Sequence, residues 1–267
     1  MKKKILISTG GSGGHVVPAT ILYQHLKDLN EVSVTCDNRG LKFLNQKDYD
    51  LTIFNINPFK KNFFLLPLNI FKILVLTIKS FIFLKKKKTE VLISTGGYMS
   101  LPLCLASRLL NIKLYLFEPN IVIGRSNKLF LRYCKKIFCY SDKIKNFPKN
   151  QKNKIEIIPP LLRKKFYELN KTKTINDQIK LLVIGGSQGA KIFDTLVKNS
   201  IVKLSKKYKF KVYQQSNINN FTSIKKTYQE NKIDYELFEY NEDVSIFMDK
   251  SNLCITRAGA TTLAELV

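Results

Sequence analysis

Two histidines among 267 residues leave no material for a histidine-based metal cluster. The five cysteines (36, 104, 134, 139 and 254) include no C-x-x-C pair, which excludes a zinc site and a disulfide framework. Scattered through apolar runs, they suit buried thiols in a reducing compartment. Acidic residues are scarce, 20 against 45 lysines and arginines, and only six of the basic residues are arginine. The net charge of +25 is therefore carried by lysine, a point charge on a flexible stem, not by the planar fork that grips phosphate bidentately. Charge of this size draws a protein to anionic membrane surfaces, nucleic acid or anionic substrates. The start, Met-Lys-Lys-Lys before a short apolar run, is too short for a signal-peptide core, so a cytoplasmic location is expected. What is present is ordinary for a folded chain: 45% hydrophobic residues and enough length for two domains.

Apolar strand-like runs fall near 4–8, 31–35, 51–55, 91–94, 112–117, 136–140 and 155–158, and again near 179–185, 209–214, 234–238 and 252–256. Helix-like segments fill most of the gaps, the pattern of parallel sheets with helices on both faces. The stretch from Pro159 to Asp177 opens with two prolines and turns rich in lysine and threonine, which reads as a connection. The expected division is a Rossmann-like domain over 1–160, a linker over 161–178 and a second Rossmann-like domain over 179–267. Phe63 to Leu84 is the one run long enough to suggest a membrane span. Its two central lysines cost roughly 5–7 kcal/mol against about 5–10 returned by its apolar residues. Asn69, Lys72, Thr77, Lys79 and Ser80 share one arc of roughly 160° on a helix, and lysines flank both ends. An amphipathic crossover helix follows, covered by its own domain or lying on a membrane surface.

Glycine is concentrated where strands end. Ile5 to Ser8 runs into Gly10-Gly11-Ser12-Gly13-Gly14-His15, with Pro18 placed to suit the first turn of a helix. Strand, glycine turn and helix N-terminus make an anion site, because the first N–H groups lack partners and glycine lets backbone approach a phosphate. The string is no clean G-x-G-x-x-G, and no acidic residue is placed after the second strand as a ribose ligand, so an NAD enzyme is disfavoured. Similar turns follow at 94–100 and 185–190, Glu118-Pro119-Asn120 closes another strand, and small residues open a helix near 257–265. The carboxyl ends of parallel strands are where such sheets place ligands.

Taken together, GGSGGHVVP at 10–18, GGYMSLP at 96–102, EPN at 118–120, GGSQGA at 185–190 and RAGATTLAE at 257–265 resemble the MurG family over the whole chain. These are the bacterial family-28 glycosyltransferases that add N-acetylglucosamine to lipid I in peptidoglycan synthesis. The resemblance implies an α/β GT-B fold with two Rossmann-like domains facing a cleft, the second incomplete. The partners it implies are UDP-N-acetylglucosamine on the C-terminal side and undecaprenyl-linked lipid I on the N-terminal side. It implies no cofactor, no metal and no nucleic acid. Carried over, Ser12, Gly13 and Gly14 line the junction of donor and acceptor, and Asn120 approaches the sugar. Arg163 and Ser187 approach the diphosphate, the main chain near Asn241 meets uracil, and Ala260, Thr261, Thr262, Leu263, Ala264 and Glu265 hold ribose and phosphate. Leu65, Ile70, Phe71, Lys72, Leu74 and Lys79 belong to the implied contact with an anionic membrane, on the cytoplasmic face of the bacterial inner membrane. The chain departs from the family pattern at Ala258, where serine is usual, and at Pro119, where glutamine is commoner. It also ends at Val267, where the family continues for a further half-domain. A fragment, a frameshifted copy or a reduced form is the expectation.

The implied reaction is one inverting displacement: the 4-hydroxyl of the muramyl sugar attacks the anomeric carbon and UDP leaves. His15, after the glycine turn, is the candidate base, with pyrophosphate binding or loop ordering as its alternative roles. His25 reads as structural. Asp48-Tyr49-Asp50 spells the D-x-D of metal-dependent transferases but precedes a strand on the wrong side for the donor. Two other readings stay open: another GT-B lipid glycosyltransferase, such as one acting on diacylglycerol, and an inactive membrane-associated remnant.

Overall fold

The computed structural model describes residues 2–54, 66–168, 178–185, 191–240, 243–257 and 259–266. It divides into two units, Met1–Leu161 and Leu162–Val267. Leu162 and Phe166, inside the stretch expected as a linker, pack into the core of the second unit.

The first unit is built on a seven-stranded parallel sheet of β1 (Lys4–Ser8), β2 (Glu31–Cys36), β3 (Leu51–Ile53), β4 (Val91–Ser94), β5 (Lys113–Glu118), β6 (Lys136–Cys139) and β7 (Ile155–Ile157). Their order is β3-β2-β1-β4-β5-β6-β7, so the topology reverses between β1 and β4. The helices of this unit are α1 (Gly13–Leu26), α2 (Leu66–Lys86), α3 (Ser100–Leu109) and the short α4 (Arg125–Phe130) between β5 and β6. Buried on both faces, the strands carry apolar residues at successive positions. Ile5 and Ile7 pack on one side with Ala19 and Leu22 of α1, while Leu6 packs on the other with Leu84 of α2 and Leu103 of α3. α1 starts at Gly13, so Pro18 lies in its second turn rather than its first. The four-residue reach of helix bonding means only the Gly14 carbonyl loses a donor, beside the exposed start of the helix.

The second unit repeats the plan with β8 (Ile179–Ile184), β9 (Phe210–Gln215), β10 (Asp234–Phe238) and β11 (Leu253–Thr256), ordered β10-β9-β8-β11 and all parallel. Its reversal lies between β8 and β11. Helices α5 (Lys198–Leu204), α6 (Ile218–Glu230), α7 (Ser245–Lys250) and α8 (Ala260–Leu266) connect or follow these strands.

Helix α2 splits the polar arc expected to share one face. Thr77 and Ser80 are buried, whereas Phe71, Leu74, Ile78 and Ile82 are all more than half exposed. Only Lys72 and Lys79 of the arc lie in solvent, along one edge of that apolar ridge. Small hydroxyl side chains pack inward because they let α2 close onto its neighbour, and Thr77 Oγ1 satisfies itself on the Ile73 carbonyl at 2.8 Å. No described helix is long and apolar enough to cross a membrane.

Candidate functional site

In the first unit, two glycine turns meet at the β1/β4 reversal. Ser8 and Ser94 end the paired strands, and Thr95 Oγ1 donates to Thr9 Oγ1 at 2.9 Å across the start of both turns. His15, in the first turn of α1, reaches the Thr95 carbonyl through Nδ1 at 2.8 Å. A carbonyl only accepts, so Nδ1 carries the proton of the neutral ring and Nε2 keeps its lone pair. Gly96 and Gly97 have φ of +93° and +85°, and a Cβ on Gly96 would stand 3.2 Å from His15 Cε1. Glycine at 96 is therefore what lets the second turn close on the imidazole. Ser12 caps α1 in extended backbone without a side-chain bond, which leaves its hydroxyl out of the helix cap. Gly13 is buried and Gly14 exposed.

The end of β5 adds a third part. Glu118 is 3% exposed, and four N–H bonds satisfy its carboxylate. Oε1 accepts from Asn120 Nδ2 at 2.9 Å and from its backbone N–H at 3.4 Å, while Oε2 accepts from the Gly124 N–H at 2.8 Å and from Asn127 Nδ2 at 3.0 Å. The exposed Asn120 is thus fixed by its own motif. Pro119 donates nothing, and the bonds that hold this turn come from its neighbours. Glu118 and the buried Asn127 escaped sequence reasoning as site residues, although the spacing of EPN and the GRSN at 124–127 carried the signal.

Asp37 corrects the expectation that no acidic residue follows the second strand. It stands directly after β2 and is 2% exposed. The case against NAD therefore rests on its bonds: this carboxylate accepts the Gly11 N–H at 2.7 Å, the Gly40 N–H at 3.0 Å and Arg39 Nε at 2.8 Å. Ribose hydroxyls would have to displace them.

In the second unit, the β8/β11 reversal gathers Arg163 and α8. Arg163 Nε lies 3.2 Å from Glu265 Oε1, with side chains 11% and 1% exposed. Burial pushes the Glu265 carboxyl up to about 7, against the opposing pull of Arg163. Ala260, Thr261, Thr262 and Ala264 are half-buried around it, and Leu263 is exposed. Ser187, Asn241 and Leu65 lie outside the described residues. Asp194, in a π-helical turn (Phe193–Val197), accepts from Gln214 Nε2, Ser216 Oγ and Asn220 Nδ2 at 3.0, 2.8 and 2.7 Å. Such turns recur at functional sites, and nothing in the sequence pattern announces this one.

The D-x-D carboxylates part company: Asp48 accepts from Asn45 Nδ2 at 3.0 Å, and Asp50 pairs with Lys87 at 3.1 Å. All five cysteines are free, and burial pushes the Cys36, Cys104, Cys139 and Cys254 thiols up to about 12. At neutral pH these four thiols therefore stay protonated, and the thiolate is the nucleophilic form.

Residues 5–139 match the glycosyltransferase family 28 N-terminal domain, and residues 180–267 match its C-terminal domain. The chain belongs to glycosyltransferase family 28. Over its whole length, and over 75% of the relative's, it is 62% identical to a UDP-N-acetylglucosamine–N-acetylmuramyl-(pentapeptide) pyrophosphoryl-undecaprenol N-acetylglucosamine transferase of Pelagibacter ubique. A protein of the same name from Rickettsia canadensis is 33% identical over 99% of the chain and 75% of its own length. Among solved structures, Acinetobacter baumannii MurG superposes with a TM-score of 0.71 at 23% identity, covering 98% of this chain and 75% of that one. A UDP-GlcNAc 2-epimerase from Methanocaldococcus jannaschii shares the fold at a TM-score of 0.60 and 15% identity, covering 98% and 80%. The family-28 fold is thus common to enzymes of different chemistry, and the sequence relatives separate them.

Proposed function

We propose that this family-28 chain transfers N-acetylglucosamine from UDP-N-acetylglucosamine to the 4-hydroxyl of the muramyl sugar of lipid I, forming lipid II. The observation that carries this reading is the 62% identity, over the whole chain, to a transferase of that name. The local geometry supports a chemical account. With Nδ1 engaged on Thr95, His15 offers Nε2 as the base that takes the hydroxyl proton as the oxygen attacks the anomeric carbon. The glycine turns and the start of α1 offer backbone N–H groups to the acceptor's pyrophosphate. In the second unit, Arg163 offers charge to the leaving diphosphate and Glu265 accepts ribose hydroxyls, with Ser187, Asn241 and residues 260–264 completing the donor side.

The membrane reading rests on α2. Ile70, Phe71 and Leu74 are 50%, 63% and 56% exposed, and Lys72 and Lys79 are exposed beside them. A ridge of that kind edged by lysine suits a peripheral position on an anionic bilayer, the ridge in the acyl boundary and the ammonium groups on headgroups. Phe71→Ser with Ile78→Ser is expected to weaken sedimentation with phosphatidylglycerol vesicles by roughly ten-fold or more, and unchanged binding contradicts this face.

The reaction is tested by incubating the full chain with labelled UDP-N-acetylglucosamine and either lipid I or diacylglycerol. Transfer to lipid I alone is expected. Transfer to diacylglycerol marks a different lipid glycosyltransferase, and donor binding without transfer marks an inactive remnant.

A further inference from the structure

Asp37-Asn38-Arg39-Gly40 forms a tight turn after β2, closed by the Gly40 N–H on the Asp37 carbonyl at 2.9 Å. Aspartate first and glycine fourth is the preference of such turns. Glycine is also demanded by space, since a Cβ at position 40 would stand 2.3 Å from Cys36 Sγ. The turn folds Arg39 back on its own carboxylate. Nε and one terminal nitrogen reach Asp37 Oδ2 at 2.8 and 2.7 Å, while Oδ1 holds the Gly11 N–H at 2.7 Å. One buried carboxylate therefore ties the first glycine turn to a guanidinium. That guanidinium leans over the turn, with its terminal nitrogen 3.5 Å from where a Gly11 Cβ would sit.

Exposure separates the two partners. The Asp37 side chain is 3% exposed and that of Arg39 is 45% exposed. A cation placed only to neutralise a buried carboxylate has no need to face solvent beside an anion-binding turn. We propose that Arg39 is a diphosphate-binding residue of the acceptor side, and that Asp37 is its positioning residue. The proposal rests on the acceptor reading given above. Backbone N–H groups bring partial charges to a phosphate, whereas Arg39 adds a full charge and a planar fork. Asp37 pre-orders that fork, so little side-chain freedom is lost when the ligand arrives.

Calorimetric titration of the full chain with farnesyl diphosphate, and separately with UDP, tests this at low and at moderate salt. Arg39→Met keeps the apolar stem and leaves the buried carboxylate its two N–H bonds. It is expected to weaken farnesyl diphosphate by roughly ten-fold, the size of one lost charge-assisted contact, to flatten the salt dependence, and to leave UDP unchanged. Asp37→Asn is expected to weaken farnesyl diphosphate by a smaller factor; because it disturbs a buried group, Arg39→Met is the decisive variant. Wild-type affinity in folded Arg39→Met overturns the proposal, as does an equal loss for UDP. Failure of the wild-type chain to bind farnesyl diphosphate at all is a separate result, which removes the acceptor reading and this inference together.

Discussion

The two topological reversals of this chain solve the same problem in opposite ways. At β1/β4 the buried carboxylates Asp37 and Glu118 are held largely by N–H groups, most of them backbone or amide, and His15 is anchored on the neighbouring turn. At β8/β11 a single buried carboxylate, Glu265, faces Arg163, and burial outweighs that attraction. In the first arrangement the carboxylates have their hydrogen-bond partners before any ligand arrives. The second rests on a buried charge pair whose desolvation is only partly offset, as suits a nucleotide that brings its own hydroxyls and charge.

The sharpest way to break this contrast is at His15. His15→Ala is expected to lower turnover by about 10²–10⁴-fold at saturating substrates, measured as lipid II formed per unit time. Unchanged turnover leaves the imidazole only a binding or ordering role. Glu265 gives the next largest effect, and it is one of pH. The carboxyl rises from an ordinary 4.5 to about 7 on folding. The folded state therefore holds the proton more tightly, and stability present below about pH 4.5 is lost as pH rises through 7. Denaturant unfolding of the second unit should weaken by up to about 3 kcal/mol across that window. Glu265→Gln should flatten the profile, and a wild-type profile already flat there contradicts this role for burial. Gly40→Ala comes next, forcing a methyl onto Cys36 Sγ. A loss of about 1–3 kcal/mol in the first unit is expected from overpacking, and thermal unfolding that leaves the first unit unchanged would show that the turn yields freely. The smallest effect is at Asn120. Asn120→Ala removes one bond to Glu118 and should cost about 0.5–1.5 kcal/mol of stability, read from the same melts.

All eleven strands among the described residues were legible in the sequence because each is a short apolar run bounded by turn residues. The glycine turns at 10–14 and 96–97 were legible because glycine is otherwise sparse. The orientation of α2 was not. Lysine and hydroxyl residues share an arc by count, but Thr77 and Ser80 are small enough to pack inward while lysine must stay wet, so the arc splits. Asp37 escaped because a lone aspartate in a turn has no periodicity, and its partners Gly11 and Arg39 meet it only once β1 and β2 pair. Glu118 stands out as part of a motif with GRSN close behind it, yet its role lies in the N–H groups it collects from residues 120, 124 and 127, which meet it only in the folded turn.

The division of labour between the two reversals is tested most directly by titrating UDP-N-acetylglucosamine into the wild-type chain and into Glu265→Gln and Glu118→Gln variants. Glu265→Gln is expected to weaken the donor by about ten-fold or more, the size of a lost charged hydrogen bond, while Glu118→Gln binds it like the wild type. Donor affinity lost in Glu118→Gln and kept in Glu265→Gln would contradict that division.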